Sequence, residues 1–185
     1  MTSGLVVPEN IGLVSWHGHV RVEKFWEDDD VTPIYVDPDG RDLRNSPVWQ
    51  RRATPYEVVE AENLLLTAGA TYVLNRLISD SGTRIDGTTG RIAVGNGNTA
   101  VSAGQTALQG ASTYRQVFDA TPTVSTNQLQ AVATVIAGNA TFTWEEMGLA
   151  NSASGATLVN RFLTPTFGAK GAGTQWIATA TVTLT

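Results

Sequence analysis

Four short clusters in this chain carry residue types able to do chemistry. His17 and His19 stand at i and i+2, which on a strand puts both imidazoles on one face and makes half a metal site. No third ligand at a fitting spacing follows, so a surface histidine pair is the simpler reading. Asp37-Pro38-Asp39-Gly40-Arg41-Asp42 has the carboxylate density of a calcium loop. Proline at its second position, the missing bidentate Glu and the missing flanking helices argue for an Asp-rich turn instead. Gly95-Asn96-Gly97-Asn98-Thr99 follows an apolar run, as a phosphate-cradling loop would, but it lacks the third glycine, the lysine and the following helix; a tight turn explains it better. Glu145 and Glu146 are adjacent carboxylates. On a strand they point to opposite faces and cannot serve one substrate as an acid/base pair, so one of them is expected to be a structural hydrogen-bond acceptor. No catalytic, cofactor-binding or metal-binding residue is therefore expected.

The elements that must hold these residues read mostly as strands. In the stretch Gln175 to Thr185, Trp176, Ala178, Ala180, Val182 and Leu184 share one parity and Thr179, Thr181 and Thr183 the other. That is the period of a half-buried strand with a threonine-rich wet face. Short strands are also expected at Val20–Glu23, Ile34–Val36, Arg91–Gly95, Leu129–Ala137, Thr141–Leu149 and Thr157–Leu163, with Gly138-Asn139 as a hairpin turn and 168–173 as a flexible connector. Leu66, Ala70, Val73, Leu74, Leu77 and Ile78 repeat at the helical period and predict a helix over about 67–78, lying on the sheet. Residues 56–66 stay open between helix and strand. Thr54-Pro55-x-Glu57 looks like a helix start, whereas Val58-Val59 favours a strand. The predicted fold is mainly β: an antiparallel, jelly-roll-like β-sandwich with one substantial α-helix and an extended N-terminal arm.

The chain has 185 residues, a net charge of −5, no cysteine and a charged fraction of only 16%. The acidic balance, without a basic stripe, argues against nucleic acid. No run of about 18 apolar residues marks a membrane span, and the first residues lack the pattern of a Sec signal peptide, so synthesis in a cytoplasm is expected. Composition divides the chain near residue 54. Residues 1–54 hold three of the five tryptophans, both histidines and four of the seven prolines. They read as an extended arm or as accessory strands of the main domain, which takes 55–185. Trp16, Trp26, Trp49, Arg51 and Arg52 are the candidate inter-subunit anchors, because tryptophan and arginine dominate interface energetics.

Beyond residue 62 the order of features matters more than any one of them. Asn63-Leu64-Leu65-Leu66-Thr67-Ala68-Gly69 is followed by Ile92-Ala93-Val94-Gly95-Asn96-Gly97-Asn98-Thr99-Ala100 and Gln105-Thr106-Ala107-Leu108-Gln109-Gly110. Then come Ala140 to Asn151, with Phe142-Thr143-Trp144-Glu145-Glu146 at its centre, Leu158-Val159-Asn160-Arg161, and the Trp176 to Thr185 strand. This series resembles a family of tailed-bacteriophage virion structural proteins over residues 63–185. The resemblance implies a non-enzymatic particle component without cofactor, located in the virion. Its partners would be identical subunits and the major capsid protein or tail proteins of the same particle, with no nucleic acid and no membrane. A capsid decoration (cement) protein is the first expectation and a tail or fibre component, adaptor or receptor-binding, the second. In the second case Tyr114, Phe118 or Trp144 could stack on a host glycan. A glycan-active enzyme is a third and weaker reading, since it needs two carboxylates facing one cleft.

Overall fold

The computed structural model describes residues 16–34, 50–79, 83–155 and 157–184. Strand β1, Trp16–Trp26, buries Val20 and Val22 completely and keeps His17, His19, Arg21 and Glu23 partly in solvent, the alternation expected of a sheet with one packed face. Two-residue strands β2, Pro33–Ile34, and β3, Gln50–Arg51, pair as a small ribbon. Strand β4 runs Glu57–Leu65, which settles the open stretch. Val59 and Ala61 pack against the core while Val58, Glu60 and Glu62 are exposed, so a period of two prevails over the helix-start signal at Thr54. The helix α1 is Thr67–Ile78, and β5, β6, β7 and β8 follow as Arg91–Gly95, Thr113–Val117, Thr123–Ser125 and Gln128–Val135. Strands β9, Thr143–Ala150, β10, Asn160–Ala169, and β11, Thr174–Leu184, complete the set.

Nine strands form one antiparallel sheet in the order β6-β5-β9-β10-β4-β1-β11-β8-β7. The sheet folds over at β4, whose residues 57–62 pair with β1 and whose residues 63–65 pair with β10. The two halves lie face to face as a sandwich. Val20, Val22, Ala131, Ala133, Val135, Ala178 and Ala180 come from one half, and Ile92, Val94, Trp144, Met147, Leu149 and Phe162 from the other, in a single core. Trp144 and Trp176 meet edge-on across it at 4.8 Å, the geometry their ring quadrupoles favour. Far from dangling, β11 is flanked along its length by β1 and β8, with Trp16↔Leu184 to Trp26↔Thr174 in register on one side.

Each half has a cover over its outer face. Phe25, Val132 and Ile177 are roofed by Val31 and Ala53 from the segments around the β2–β3 ribbon. Leu66, Ala93, Ala150 and Leu158 are roofed by Val101 and Leu108 from the 96–110 loop.

Three expectations need correction. Gly138-Asn139 does not turn a hairpin: β8 pairs with β11 and β7, whereas β9 pairs with β10 and β5, so 136–142 carries the chain from one half to the other. Residues 168–173 are no loose connector either. Lys170 is buried and its Nζ donates to the carbonyls of Ile136 at 3.0 Å and Thr174 at 2.6 Å. The Gly138 N–H donates to the Ala172 carbonyl, which fastens the two crossings side by side. Finally, the helical stripe is not laid on the sheet along its length. The α1 N-terminal half docks through the buried Gly69, while Leu77 and Ile78 are 77% and 85% exposed.

Candidate functional site

The most elaborate polar arrangement lies on the outer face of the second half, under the 96–110 loop. Inward-facing Met147 and Leu149 leave Glu146 pointing outward, and inward-facing Phe162 does the same for Arg161. Both charged side chains are 0% exposed, and Arg161 Nε lies 2.6 Å from Glu146 Oε2. Glu146 Oε1 also accepts the backbone N–H of Gly97 at 3.1 Å and of Gly110 at 2.7 Å, while the Gln109 N–H bridges both carboxylate oxygens at 3.0 and 2.9 Å. Arg161 Nη1 donates to the Thr99 carbonyl at 2.8 Å and to Gln105 Oε1 at 3.1 Å. Gln105 in turn accepts from the Ser102 N–H and donates to the Ala100 carbonyl. One ion pair therefore pins both ends and the middle of a loop otherwise built from small residues.

Glycine makes this possible. A Cβ on Gly95 would sit 2.5 Å from Glu146 Oε1, and one on Gly97 2.6 Å from the same oxygen. A Cβ on Gly110 would collide with the Asn96 side chain, whose Oδ1 accepts the Ser112 N–H at 2.9 Å. Beside the pair, Asn160 Oδ1 takes the Leu149 N–H at 2.8 Å. A carboxylate already surrounded by three N–H donors and a guanidinium is desolvated but compensated. Chemically it fastens; it has no open face toward a cleft.

The anticipated residues fall elsewhere. His17 and His19 share a face of β1, with His19 Nε2 3.8 Å from Glu60 Oε2, and among the described residues no three His, Cys, Asp or Glu side chains could hold a metal ion. Asp37 to Asp42 and Trp49 lie outside the described residues. Asp29 and Asp30 accept the N–H groups of Trp26 and Thr32. Trp16 is half-buried at the start of β1. Trp26 is 56% exposed and stacks on Tyr56 at 4.8 Å. Arg51 is almost wholly buried within its own chain, its Nε 3.3 Å from Glu23 Oε2 and its Nη1 donating to the Val31 carbonyl. Arg52 is solvent-exposed near Asp30. Trp144 is a core residue whose Nε1 donates to the Ala140 carbonyl, Phe118 is buried, and the Tyr114 hydroxyl donates to Gln116.

Of the two carboxylates at 145 and 146, the expected structural acceptor is Glu146. Arg161, Gln105 and the paired approach of Gly97 and Gly110 carry no local signal of their partnership. The one available clue is a lone arginine inside the apolar run Leu158-Val159-Asn160-Arg161-Phe162-Leu163, since an uncompensated buried arginine is not tolerated.

Elsewhere, Asp86 holds the 86–89 turn by accepting from the side chains and N–H groups of Thr88 and Thr89, which keeps its carboxyl well below the usual range. Comparison with protein-family models, curated proteins and solved structures gives no match.

Proposed function

We propose that the chain is a non-enzymatic structural component of a bacteriophage particle, a capsid decoration protein that binds and stabilises the outer shell together with identical subunits. One observation carries the reading: the residues on which the phage resemblance rests act together. Gly95, Gly97, Thr99, Gln105, Gln109, Gly110, Glu146 and Arg161 come from four separate pieces of the ordered series, yet all meet in the single buried fastening beneath the 96–110 loop. A chance string of common motifs has no reason to converge in space. The polar investment goes into holding a loop rigid, as a protein that presents a fixed surface to neighbours requires. Sparse surface charge suits repeated contacts in a symmetric array, where many weak contacts add up.

Mass-spectrometric counting of copies in purified particles of the phage that encodes the chain tests this. Hundreds of copies per particle are expected. Six to about a dozen, by the usual symmetry of tails, would move the protein to a tail or fibre. Absence from purified particles would overturn the proposal.

A further inference from the structure

The two outer faces have covers, but one end of the sandwich has none. The four most exposed large apolar side chains among the described residues, Ile78, Leu77, Val124 and Leu74, all stand there, at 85, 77, 71 and 62%. Leu74, Leu77 and Ile78 keep the i, i+3, i+4 spacing on α1 and so form one ridge. Beside that ridge, Tyr72 and Val73 of the same helix wall a cleft of about 680 Å³, whose far side is Trp16, Val124, Leu129 and Leu184. Val124 belongs to β7, the edge of the nine-stranded sheet. The helix is held unevenly. Gly69 and Tyr72 seat its first half, while the leucine and isoleucine of its last turn face solvent.

We propose that this end is a two-fold interface: α1 of one copy lays Leu74, Leu77 and Ile78 into the cleft of a second copy and receives that copy's ridge in return. Shape selects this occupant. A groove alone fits any apolar partner, but a groove beside a ridge of the same chemistry is complementary to its own copy. A two-fold axis satisfies both features at once, since residue i then meets residue j while j meets i. A dry cavity of about 150 Å³ takes a benzene ring, so the cleft has room for three aliphatic side chains. With Val124 and Leu184, the ridge makes an apolar patch on the order of 500 Å², at the upper end of what a monomer shows in one place. That is more than half of the about 800 Å² per partner that a standard interface buries, and the cleft walls add to it. The second copy also supplies the support that the last turn of α1 lacks, and a helix of 12 residues is marginal without packing. The call for identical subunits rests on the reading proposed above; the place where they meet rests on this surface alone.

Sedimentation equilibrium of the purified full chain tests the interface. Dimers are expected at high micromolar concentration, dissociating on dilution. Leu77→Asp, on the ridge, and Val124→Asp, on the receiving side, should each raise the dissociation constant at least about tenfold, because each would bury an unpaired carboxylate. Both positions are exposed in the single chain, so the urea midpoint of the diluted, monomeric protein should not move. Ile136→Asp, at an exposed apolar position outside the cleft and its ridge, should leave the dimer intact. Because the chain has no cysteine, mixing a Leu77→Cys chain with a Val124→Cys chain under mild oxidation should give a covalent heterodimer; neighbouring positions are scanned, since a disulfide needs Cα atoms within about 7 Å. A monomer at every concentration would overturn the proposal. So would a dimer that both aspartate variants leave unweakened, or assemblies of three or more copies in place of a closed pair. The copy count in particles fails separately: a dimer weakened as expected, in a protein missing from particles, would keep this interface and remove the phage role.

Discussion

At the scale of single residues, Glu146 and Arg161 set the terms. Removing one partner leaves the other charged and buried, a loss of about 3–5 kcal/mol, so Glu146→Leu and Arg161→Met should each lower the urea midpoint sharply. The double variant should recover much of that loss, since apolar replacement of a buried pair is often neutral. It should not recover the loop: amide exchange at Gly97, Gln109 and Gly110 should stay fast, because their shared acceptor is gone. Recovery of slow exchange would show that the loop is held by Val101 and Leu108 alone.

Lys170 gives a prediction in pH. Burial pushes its ammonium down to about 8 from the ordinary 10.5. Between those values the unfolded chain binds more protons than the folded one, so this group makes the fold more stable as pH rises through the window and penalises it below. Urea titrations across that range should show the rise in the native chain and a flatter profile in Lys170→Met.

At the scale of elements, α1 is seated by Tyr72, which packs against the core, and by one close approach. A Cβ on Gly69 would overlap the Val159 carbonyl, and no polar side chain caps the helix at Leu66. Gly69→Ala should undock the helix and cost about 1–3 kcal/mol by overpacking, despite alanine's better helix propensity. Gly104→Ala, with nothing within 4 Å of the new Cβ, should be silent in the same unfolding assay.

Elements also show what the sequence can disclose. The β11 alternation was legible because burial on one face imprints a period, and the α1 bounds because their apolar residues keep helical spacing. The helix stripe was legible as a period but not as a contact: Leu77 and Ile78 have helical spacing whether or not a sheet lies beneath them. Strands β6 and β7, half-exposed and short, leave no period to find. Gly138-Asn139 announced a turn correctly, since Gly138 has a φ of +80°, yet turn chemistry says nothing about which strands pair afterwards. The Glu146 site was half legible. An acceptor role follows from strand parity, but its partners lie 15 to 49 residues away, a separation that local patterns do not encode.

At the scale of the whole molecule, β1 is a middle strand held by β4 and β11, and Arg51 and Gln175 tie the early segments into their own domain: Gln175 Nε2 donates to the carbonyls of Trp26, Glu27 and Asp29. A truncation stopping at residue 15 should keep cooperative thermal unfolding. One that removes residues 1–26, or the whole section to 54, should abolish it, because it splits the sheet between β4 and β11. A cooperative melt from either longer deletion would show that β4 and β11 can close without β1.

The placement of β11 between β1 and β8 has a consequence for how copies are made. A ribosome releases residues 16–26 long before 174–184, so a nascent chain must wait with two raw sheet borders until its late strand arrives to join them. Polypeptides broken off before that moment cannot reach the finished form, and go to proteases or aggregates.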